Sequence, residues 1–392
     1  MSSPQISIIV CTYQRPANLR RVLASIAGQR GVDGKFEVVV ADDGSKDETP
    51  QVVEQFRNSV RFPVHFTTHP HSGFCPGRAR NEGVAASCGE YVLLLDGDCM
   101  LPRDHVRVQL ARRLPGVVRV GDSIRLDRGP SASVSVEFAA RGRLSRVASL
   151  AECARIKLRA VKSTFYNLRN HPDRPRLIAN NVALWKKDYE RVNGFDQSYV
   201  GWGAEDDDFG FRLRRAGLQL RTILWWTTCY HLWHPKDPSA PAGRTGGDNY
   251  NYLRRGFHLI KCCDGLVKRT WQDLSLAAAG PLPTSSVLRQ VFSASRPRFV
   301  ADGPAEVEVL FTPGPGAFTG RAQCNILVAL DHSADSLLAA PEAHLVLSND
   351  PLPGVPTERQ FSLSQWEATM SHLMFNSSPT EQPRNVQLPV AA

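Results

Sequence analysis

The chain has 392 residues, enough for one large domain with its own buried core and a smaller second one. Its formal net charge of +9 is uneven, because residues 1–274 hold 41 basic and 28 acidic side chains, whereas lysine is absent from residue 275 onward. A basic first part favours a phosphorylated ligand, an anionic polymer or an anionic membrane surface as partner. Arginine is scattered rather than interleaved with aromatic residues in a recognisable module, so no nucleic acid partner is predicted.

The cysteine content and the hydropathy of the chain help to predict its cellular compartment. The nine cysteines, an odd number, lack the paired spacing of a zinc site. The first residues show no signal-peptide pattern, and no apolar run approaches the ~20 residues that span a bilayer. We therefore expect a cytoplasmic protein without a transmembrane helix, with peripheral contact at the inner face of the membrane as an alternative.

The first hundred residues alternate strands with helices. Strands are predicted at residues 6–10, 36–41 and 64–66, and a longer apolar run begins at Tyr91 and ends in Asp96-Gly97-Asp98. Apolar residues at helical spacing follow each of the first three strands. This alternation predicts an α/β fold with a mostly parallel, Rossmann-like central sheet.

Polar side chains follow three of these strands. Thr12 follows the first, Asp42 and Asp43 the second, and Asp96 and Asp98 the last. Ligands of open α/β sheets bind outside the carboxyl ends of the strands, so these side chains are expected to face one crevice. Two carboxylates around a glycine suit Mg²⁺ or Mn²⁺ beside phosphate oxygens, although a solvated Asp-Gly turn explains that motif equally well when it is taken alone.

Three segments, residues 7–16, 38–49 and 77–99, resemble the nucleotide-sugar-binding motifs of family 2 glycosyltransferases with the GT-A fold. The resemblance implies that residues of these motifs bind the donor: Thr12, Tyr13, Asp42, Arg80, Asn81 and Asp96. It also implies that Asp98 binds a divalent metal, with Asp96 as a further ligand. A Walker-type phosphate loop is missing from the sequence, which fits a family that relies on metal instead.

A basic amphipathic helix is predicted between Ser145 and Leu168. Its apolar residues recur at three- and four-residue steps: Val147, Leu150, Ala154, Leu158, Val161, Phe165 and Leu168. Basic residues occupy much of the remaining surface. The favoured interpretation is a helix packed on the core with a solvated basic face. The alternative is a helix that rests on an anionic membrane or lines an acceptor groove.

Residues 201–213 begin with Gly-Trp-Gly-Ala and continue with four consecutive acids, Glu205 to Asp208, predicted to form the first turn of a helix. The helix dipole stabilises carboxylates at this position, but capping needs only one of them. The indole of Trp202 offers a flat platform for a sugar ring, and a carboxylate can accept a hydroxyl proton. Four acids at this position therefore indicate a role beyond capping.

This block resembles the carboxyl-terminal motif of β1,4-galactosyltransferases and of the N-acetylgalactosaminyltransferase domain of chondroitin polymerases. The resemblance implies that Trp202 contacts donor and acceptor, that Glu205 binds acceptor hydroxyls and that Asp206 is the general base. It also places a metal-ligating histidine after the next strand, with His231 as first choice and His234 as second. Imidazole ligands favour Mn²⁺ over Mg²⁺.

The resemblance covers about residues 5–262. It implies a GT-A domain over residues 1–275, with a nucleotide-sugar-binding half (1–100) and an acceptor and catalytic half (101–275). Residues 236–249, rich in Gly, Pro and polar residues, would form a mobile lid in which Lys236 or Arg244 touches the diphosphate. Short strands between Gly/Pro turns predict a small C-terminal β-rich module (276–376), followed by a disordered tail (377–392).

Together these patterns predict an inverting, metal-dependent glycosyltransferase. It would move a hexose or N-acetylhexosamine from a nucleotide sugar, preferably UDP-linked, to a hydroxyl of a glycan or glycoconjugate. The alternatives are a catalytically inactive sugar-nucleotide-binding protein and an anionic-surface-binding protein. The intact acids and histidines argue against loss of activity, and a nucleotidyltransferase would require a glycine-rich amino-terminal loop that the sequence lacks.

Overall fold

The computed structural model describes residues 3–235, 247–254, 258–284, 286, 291–292, 299–301 and 304–375. Contacts divide the chain into two compact units, one of Met1–Leu253 and Asp264–Val267, the other of Arg254–Cys263 and Lys268–Ala392. The division falls near residue 254, and the functional layout expected from the sequence, with boundaries at 100 and 275, stays a prediction. Most of the predicted lid, with Lys236 and Arg244, and the tail at 377–392 lie outside the described residues.

The first unit contains ten strands and ten α-helices among its described residues. The strands are β1 (Ile6–Thr12), β2 (Phe36–Asp42), β3 (Val64–Thr68), β4 (Tyr91–Asp96), β5 (Cys99–Met100), β6 (Val117–Val120), β7 (Ser123–Arg125), β8 (Asn181–Trp185), β9 (Gln219–Thr222) and β10 (Cys229–His231). The helices are α1 (Pro16–Ala27), α2 (Thr49–Ser59), α3 (Pro76–Ala85), α4 (His105–Arg112), α5 (Arg128–Ser133), α6 (Val136–Arg141), α7 (Leu150–Leu168), α8 (Lys186–Arg191), α9 (Glu205–Arg215) and α10 (Asp248–Leu253).

A mixed seven-stranded sheet forms the centre of this unit, in the order β3-β2-β1-β4-β8-β6-β9. Strands β1 to β4 pair in parallel, and β8 enters antiparallel between β4 and β6. The mostly parallel α/β sheet predicted from the sequence is therefore confirmed. Its central strands are almost completely buried on both faces, which explains why β4 begins with five consecutive apolar residues and why Ser7 is the only polar residue among the first five of β1.

Helix α3 lies unusually close to the sheet. A side-chain carbon at Gly83 would meet Cγ2 of Ile9 at 2.5 Å and Cβ of Ala41 at 3.0 Å, so only glycine allows this approach. Because α3 also carries Arg80 and Asn81, the distance between helix and sheet determines where these two side chains lie.

A small three-stranded sheet, in the order β5-β10-β7, joins two distant parts of the chain. Strand β10 pairs antiparallel with β5, so that His231 lies opposite Cys99, and the amide of Leu232 donates to the carbonyl of Asp98 at 2.8 Å. The turn before β5 is equally constrained, because a side chain at Gly97 would meet Oγ1 of Thr12 at 2.8 Å. This pairing brings residues more than 130 positions apart in the chain to one place.

Helix α7 corrects one expectation. Its apolar stripe does not pack on the core, because Leu150, Leu158, Val161, Phe165 and Leu168 are all exposed. The buried face consists of Ile156, Ala160 and Ser163 instead. The reason is electrostatic, since two arginines of the helix pair with the buried carboxylate of Asp122 and so turn this side of the helix inward.

The described part of the second unit holds five strands that all pair in parallel and follow one another in sequence order. They are β11 (Leu276–Ala278), β12 (Ala305–Thr312), β13 (Ala322–Ala329), β14 (Leu345–Ser348) and β15 (Gln360–Ser362), with helices α11 (Ala334–Ala339) and α12 (Trp366–Phe375). The predicted C-terminal β-rich module is confirmed. Among the described residues of both units, no helix combines the length and apolar character needed to cross a lipid bilayer.

Substituting Gly83 with alanine is expected to destabilise the first unit by about 1–3 kcal/mol, because the new methyl group overpacks the contact with Ile9 and Ala41. Urea unfolding followed by tryptophan fluorescence would measure the loss. Gly129→Ala is the matched control, since nothing lies within 4 Å of the added carbon, and its effect should stay within about 0.5 kcal/mol. Equal stability of the two variants would contradict the close approach of α3 to the sheet.

Candidate active site

The carboxyl ends of β2 and β3 form a polar network around two buried acids. Asp42 accepts hydrogen bonds from the amide of Ser45 and the hydroxyl of Thr68, both at 2.8 Å. Asp43 accepts from the Cys75 amide at 3.2 Å and lies 2.9 Å from Nε2 of His69. Both carboxylates are held rigidly by the protein, so they shape the crevice at the sheet edge.

Two aromatic rings flank this network. Tyr13, in the loop after β1, stacks on His71 with ring centroids 4.3 Å apart and an interplanar angle of 11°. Nδ1 of His71 lies 2.7 Å from the carbonyl of Asp43, which orients the ring. Next to them, the buried hydroxyl of Thr12 has no hydrogen-bond partner among the described residues. These features fit a pocket for a planar, polar group such as a nucleoside base.

Sequence reasoning missed His69 and His71. Both follow β3, the least conspicuous of the first four strands. The rule that predicted Thr12, Asp42 and Asp96 applies equally to the carboxyl end of this strand. Applied there, it would have found them.

Arg80 joins the two acidic segments predicted from the sequence. Its Nη2 donates to Oδ1 of Asp96 at 3.0 Å, while its Nη1 lies 3.7 Å from Oδ1 of Asp206 and 4.0 Å from Oε1 of Glu205. The guanidinium is buried and lies over the ring of Phe195, 5.1 Å from its centroid. Asp96 and the first two acids of α9 therefore converge on one guanidinium.

Asn81 differs from the expected donor contact. Its Oδ1 accepts from the hydroxyl of Tyr189 at 2.6 Å and the amide of Phe195 at 2.9 Å, and its Nδ2 donates to the carbonyl of Phe195 at 2.9 Å. The side chain is thus occupied by protein contacts. Asn81 holds the turn that places Phe195 beneath Arg80, so its effect on the pocket is indirect.

The four consecutive acids divide into two pairs. Asp208 forms a fully buried ion pair with Arg212 at 2.7 Å, and Asp207 lies 3.4 Å from Arg176. Glu205 and Asp206 face Arg80 instead. The residue before them, Ala204, has a left-handed backbone with φ of 72°, a conformation that costs energy without a glycine. This strain lies directly beside the two acids that enter the pocket.

The environment of Glu205 and Asp206 favours their protonated forms. Burial, together with the charge of Asp206, raises the pKa of Glu205 to about 8, although Arg80 opposes the shift. Burial also raises the pKa of Asp206 to about 6, against the lowering effects of Arg80 and of the Ala179 amide, which donates to Oδ2 at 3.0 Å. At neutral pH one acid is therefore mainly protonated and the other mainly ionised, a separation typical of catalytic carboxylate pairs.

Asp98 lies at the centre of a cluster that could hold a metal ion. Its carboxylate oxygens lie 3.4 Å from Nε2 of His231 and 3.1 Å from Nε2 of His234, and Arg15 donates to Oδ2 at 3.0 Å. Burial opposes ionisation, but the hydrogen bond from His234 and the positive charges nearby outweigh it and lower the pKa of Asp98 to about 2. One ligand atom each from Asp98, His231 and His234 lie within 4.8 Å of one another.

The cluster fits a divalent transition metal, because one carboxylate and two imidazoles form a mixed oxygen and nitrogen ligand set. Both histidines expected from the sequence belong to it. Asp96, expected as a further ligand, pairs with Arg80 instead. Trp202, in the loop before α9, is more than one third exposed, so a sugar ring can reach its indole face.

Family comparisons cover the two segments that build this site. The family described as Glycosyl transferase family 2 matches residues 7–114, which include the crevice around Asp42 and the Asp96 turn. The family described as N-terminal domain of galactosyltransferase matches residues 159–235, which include Glu205, Asp206 and both histidines of the cluster.

Two individual glycosyltransferases are similar in sequence to parts of this chain. The validoxylamine A glucosyltransferase of Streptomyces hygroscopicus subsp. limoneus is 30% identical over 225 residues, covering 55% of this chain and 49% of that protein. The chondroitin synthase of Escherichia coli is 28% identical over 268 residues, covering 62% of this chain and 37% of that protein. The chain thus spans about half the length, or less, of these relatives.

A solved mannosyltransferase of Pyrobaculum calidifontis, in complex with GDP-Man and Mn²⁺, aligns with a TM-score of 0.43 and 20% identity. The alignment covers 59% of this chain and 57% of that one.

The raised pKa of Glu205 predicts a pH-dependent loss of stability. Between the ordinary value of 4.5 and about 8, the folded chain keeps a proton that the unfolded chain releases, so stability falls as pH rises through this window. Glu205→Gln removes this effect and should raise Tm relative to wild type by about 2–4 °C at the upper end of the window. At the lower end it should change Tm little.

Thermal unfolding followed by circular dichroism at both ends of the window would measure this difference. Glu190→Gln, at an exposed position of the same unit, is the control and should follow wild type throughout. Parallel pH profiles of wild type and Glu205→Gln would show that Glu205 takes up no extra proton on folding.

Proposed function

We propose that the protein is an inverting, metal-dependent glycosyltransferase of the GT-A type, because two segments of its first unit match the families described as Glycosyl transferase family 2 and N-terminal domain of galactosyltransferase. It moves a hexose or N-acetylhexosamine from a UDP-linked donor to a hydroxyl of a glycan or glycoconjugate. The observation that carries this proposal is the convergence of Asp96, Glu205 and Asp206 on one buried arginine, beside the cluster around Asp98.

The donor's nucleoside occupies the crevice at the ends of β1, β2 and β3. The stacked rings of Tyr13 and His71 border the base, and the unpartnered hydroxyl of Thr12 binds a polar donor atom. The buried Asp42 keeps this edge of the pocket in place through Ser45 and Thr68. The diphosphate then points toward Arg80 and the Asp98 cluster, where the positive side chains lie.

Transfer is a single displacement at the anomeric carbon. Asp206 accepts the proton of the acceptor hydroxyl while the acceptor oxygen bonds to that carbon and the bond to the diphosphate oxygen breaks. Oδ1 of Asp206 lies 3.7 Å from Nη1 of Arg80 and makes no hydrogen bond among the described residues, so it is the oxygen that would accept this proton. Since the sugar is α-linked in most such donors, one inversion gives a β-linked product.

Glu205 and Arg80 position the reactants. A protonated Glu205 can donate a hydrogen bond to an acceptor oxygen at neutral pH, which an ionised carboxylate cannot do. Arg80 holds both acids and Asp96 in place and leaves Nη1 without a hydrogen bond among the described residues. Trp202 supplies the exposed surface against which the sugar ring packs.

Asp98, His231 and His234 would hold the divalent ion, and two imidazole ligands favour Mn²⁺ over Mg²⁺. When bound, such an ion supplies positive charge that stabilises the diphosphate as a leaving group. Arg15, which already contacts Asp98, adds a further positive charge on the same side.

Substituting Asp206 with asparagine is expected to lower kcat by about 10²–10⁴-fold while the affinity for the donor changes little, because the amide fits the site but cannot accept the proton. In the wild type, transfer should decline as pH falls through about 6, where Asp206 becomes protonated. Release of nucleoside diphosphate, with a panel of UDP-, GDP- and dTDP-sugars and simple saccharide acceptors, would measure both effects.

Asp207→Asn is the matched control, since Asp207 pairs with Arg176 outside the reacting centre, and it should retain most of the activity. Normal turnover by Asp206→Asn would exclude Asp206 as the base. Donor binding without any transfer by the wild type, over the whole panel of acceptors, would favour an inactive sugar-nucleotide-binding protein.

The metal site is tested by His231→Ala and His234→Ala. Each should weaken Mn²⁺ binding by roughly tenfold or more, because each removes one of three ligands. Titration calorimetry with MnCl₂ would measure the dissociation constants without any substrate. His65→Ala, which removes a half-exposed imidazole of the same unit, should bind Mn²⁺ like wild type. Unchanged binding by both cluster variants would place the metal elsewhere.

A further inference from the structure

Helix α7 exposes an apolar face that the catalytic site does not use. Leu150 and Leu168 are 89% and 79% exposed, and Leu158, Val161 and Phe165 are each about half exposed. They recur at three- and four-residue steps, apart from a gap filled by Ala154, and so form one stripe along the helix. The stripe is about 27 Å long at the rise of an α-helix.

The opposite face of α7 already holds the helix on the protein. Ile156, Ala160 and Ser163 are buried there, and Arg155 and Arg159 lie 3.1 Å and 2.8 Å from Oδ2 of the buried Asp122. These contacts keep the helix in place and fix its rotation. The exposed stripe is thus presented outward by a rigid element.

An exposed tryptophan lies beside the stripe. Trp225 is 52% exposed, and its Nε1 donates to Oγ1 of Thr164, a residue of α7, at 2.8 Å. Its polar atom is therefore satisfied while much of its ring remains at the surface. Tryptophan in this position is typical of proteins that contact the boundary between lipid headgroups and acyl chains.

The surroundings of the stripe are strongly basic. Residues 141–169 contain eight arginines and lysines and one acid, Glu152, which is bound by Arg155. By helical geometry Lys157 and Lys162 lie on either side of the stripe, and both are exposed. Arg169 lies over the ring of Phe165, 4.4 Å from its centroid.

We propose that this face of α7 binds the surface of an anionic lipid bilayer. The leucine, valine and phenylalanine side chains enter the headgroup region, while the flanking lysines and arginines contact lipid phosphates. An anionic polysaccharide would satisfy the basic residues but offers no apolar phase for the stripe. A second copy of the same face would bury the stripe but bring two groups of positive charges together. Of these three partners, the bilayer is the one that supplies both kinds of contact.

Vesicle flotation of the full chain tests this proposal. The probes are phosphatidylcholine vesicles with and without phosphatidylglycerol, and wild type should float only with the anionic ones. Leu158→Gln combined with Phe165→Gln should reduce the bound fraction at least about tenfold, and so should Lys157→Glu combined with Lys162→Glu, because each charge near the surface matters. Both double variants change exposed residues, so their Tm should equal that of wild type.

Lys35→Glu combined with Lys261→Glu is the matched control, since it makes the same change of charge at exposed positions outside α7 and should keep nearly all binding. Absence of wild-type binding would overturn the proposal. An equal loss of vesicle binding in the control would also overturn it, and so would full binding by the Leu158/Phe165 variant. Either result would show that the net positive charge of the protein, and not the stripe, causes the binding. Sedimentation showing a dimer that Leu158→Gln dissociates would instead identify the stripe as a contact between copies.

Discussion

The candidate site depends on one buried guanidinium. Arg80 lies on α3, within reach of Asp96 at the end of β4 and of Glu205 and Asp206 at the start of α9. Three carboxylates so close together would repel one another, and an arginine buried without them would be severely destabilising. With Glu205 protonated at neutral pH, one positive charge faces two negative ones. The arginine and the acids therefore require each other.

The position of Arg80 in turn depends on contacts that have no chemical role of their own. Gly83 lets α3 approach the sheet, and Asn81 fixes the turn that carries Phe195 beneath the guanidinium. On the other side, the pairing of β10 with β5 places His231 beside Asp98. The two halves of the site are therefore built by backbone contacts, and the reactive side chains are attached to rigid elements, as a precise catalytic geometry requires.

The first unit combines two surfaces with different chemistry. The pocket around Arg80 gathers acids and one arginine, and it suits small phosphorylated and hydroxylated ligands. The outward face of α7 combines apolar and basic residues, and it suits an extended anionic surface. Asp122 forms ion pairs with both Arg155 and Arg159 of α7. The large apolar residues of this helix therefore face outward and do not pack in the core.

The sequence by itself determined the alternation of strands and helices, the parallel sheet, and the acids and histidines of the site. The alternation and the mostly parallel sheet follow from local periodicity, and the acids of the first hundred residues follow from the rule that polar residues at strand ends meet at one edge. The roles of Glu205, Asp206, His231 and His234 were implied by the resemblance to known glycosyltransferases. The sequence alone identifies Asp98, Glu205, Asp206, His231 and His234 as candidate site residues. Each of these residues lies in a short motif, and a short motif can be recognised from neighbouring residues in the sequence.

The tertiary structure alone decided how these residues are used. Asp96 pairs with Arg80, and Asn81 hydrogen-bonds to the backbone of Phe195. The structure also shows that His69, His71 and Arg15 contact residues of the pocket. It also rotated α7 so that its apolar stripe faces outward. The periodicity of a helix shows that it has an apolar face, but which face is buried depends on the partner of each charged residue. That partner, here Asp122, comes from a distant part of the chain.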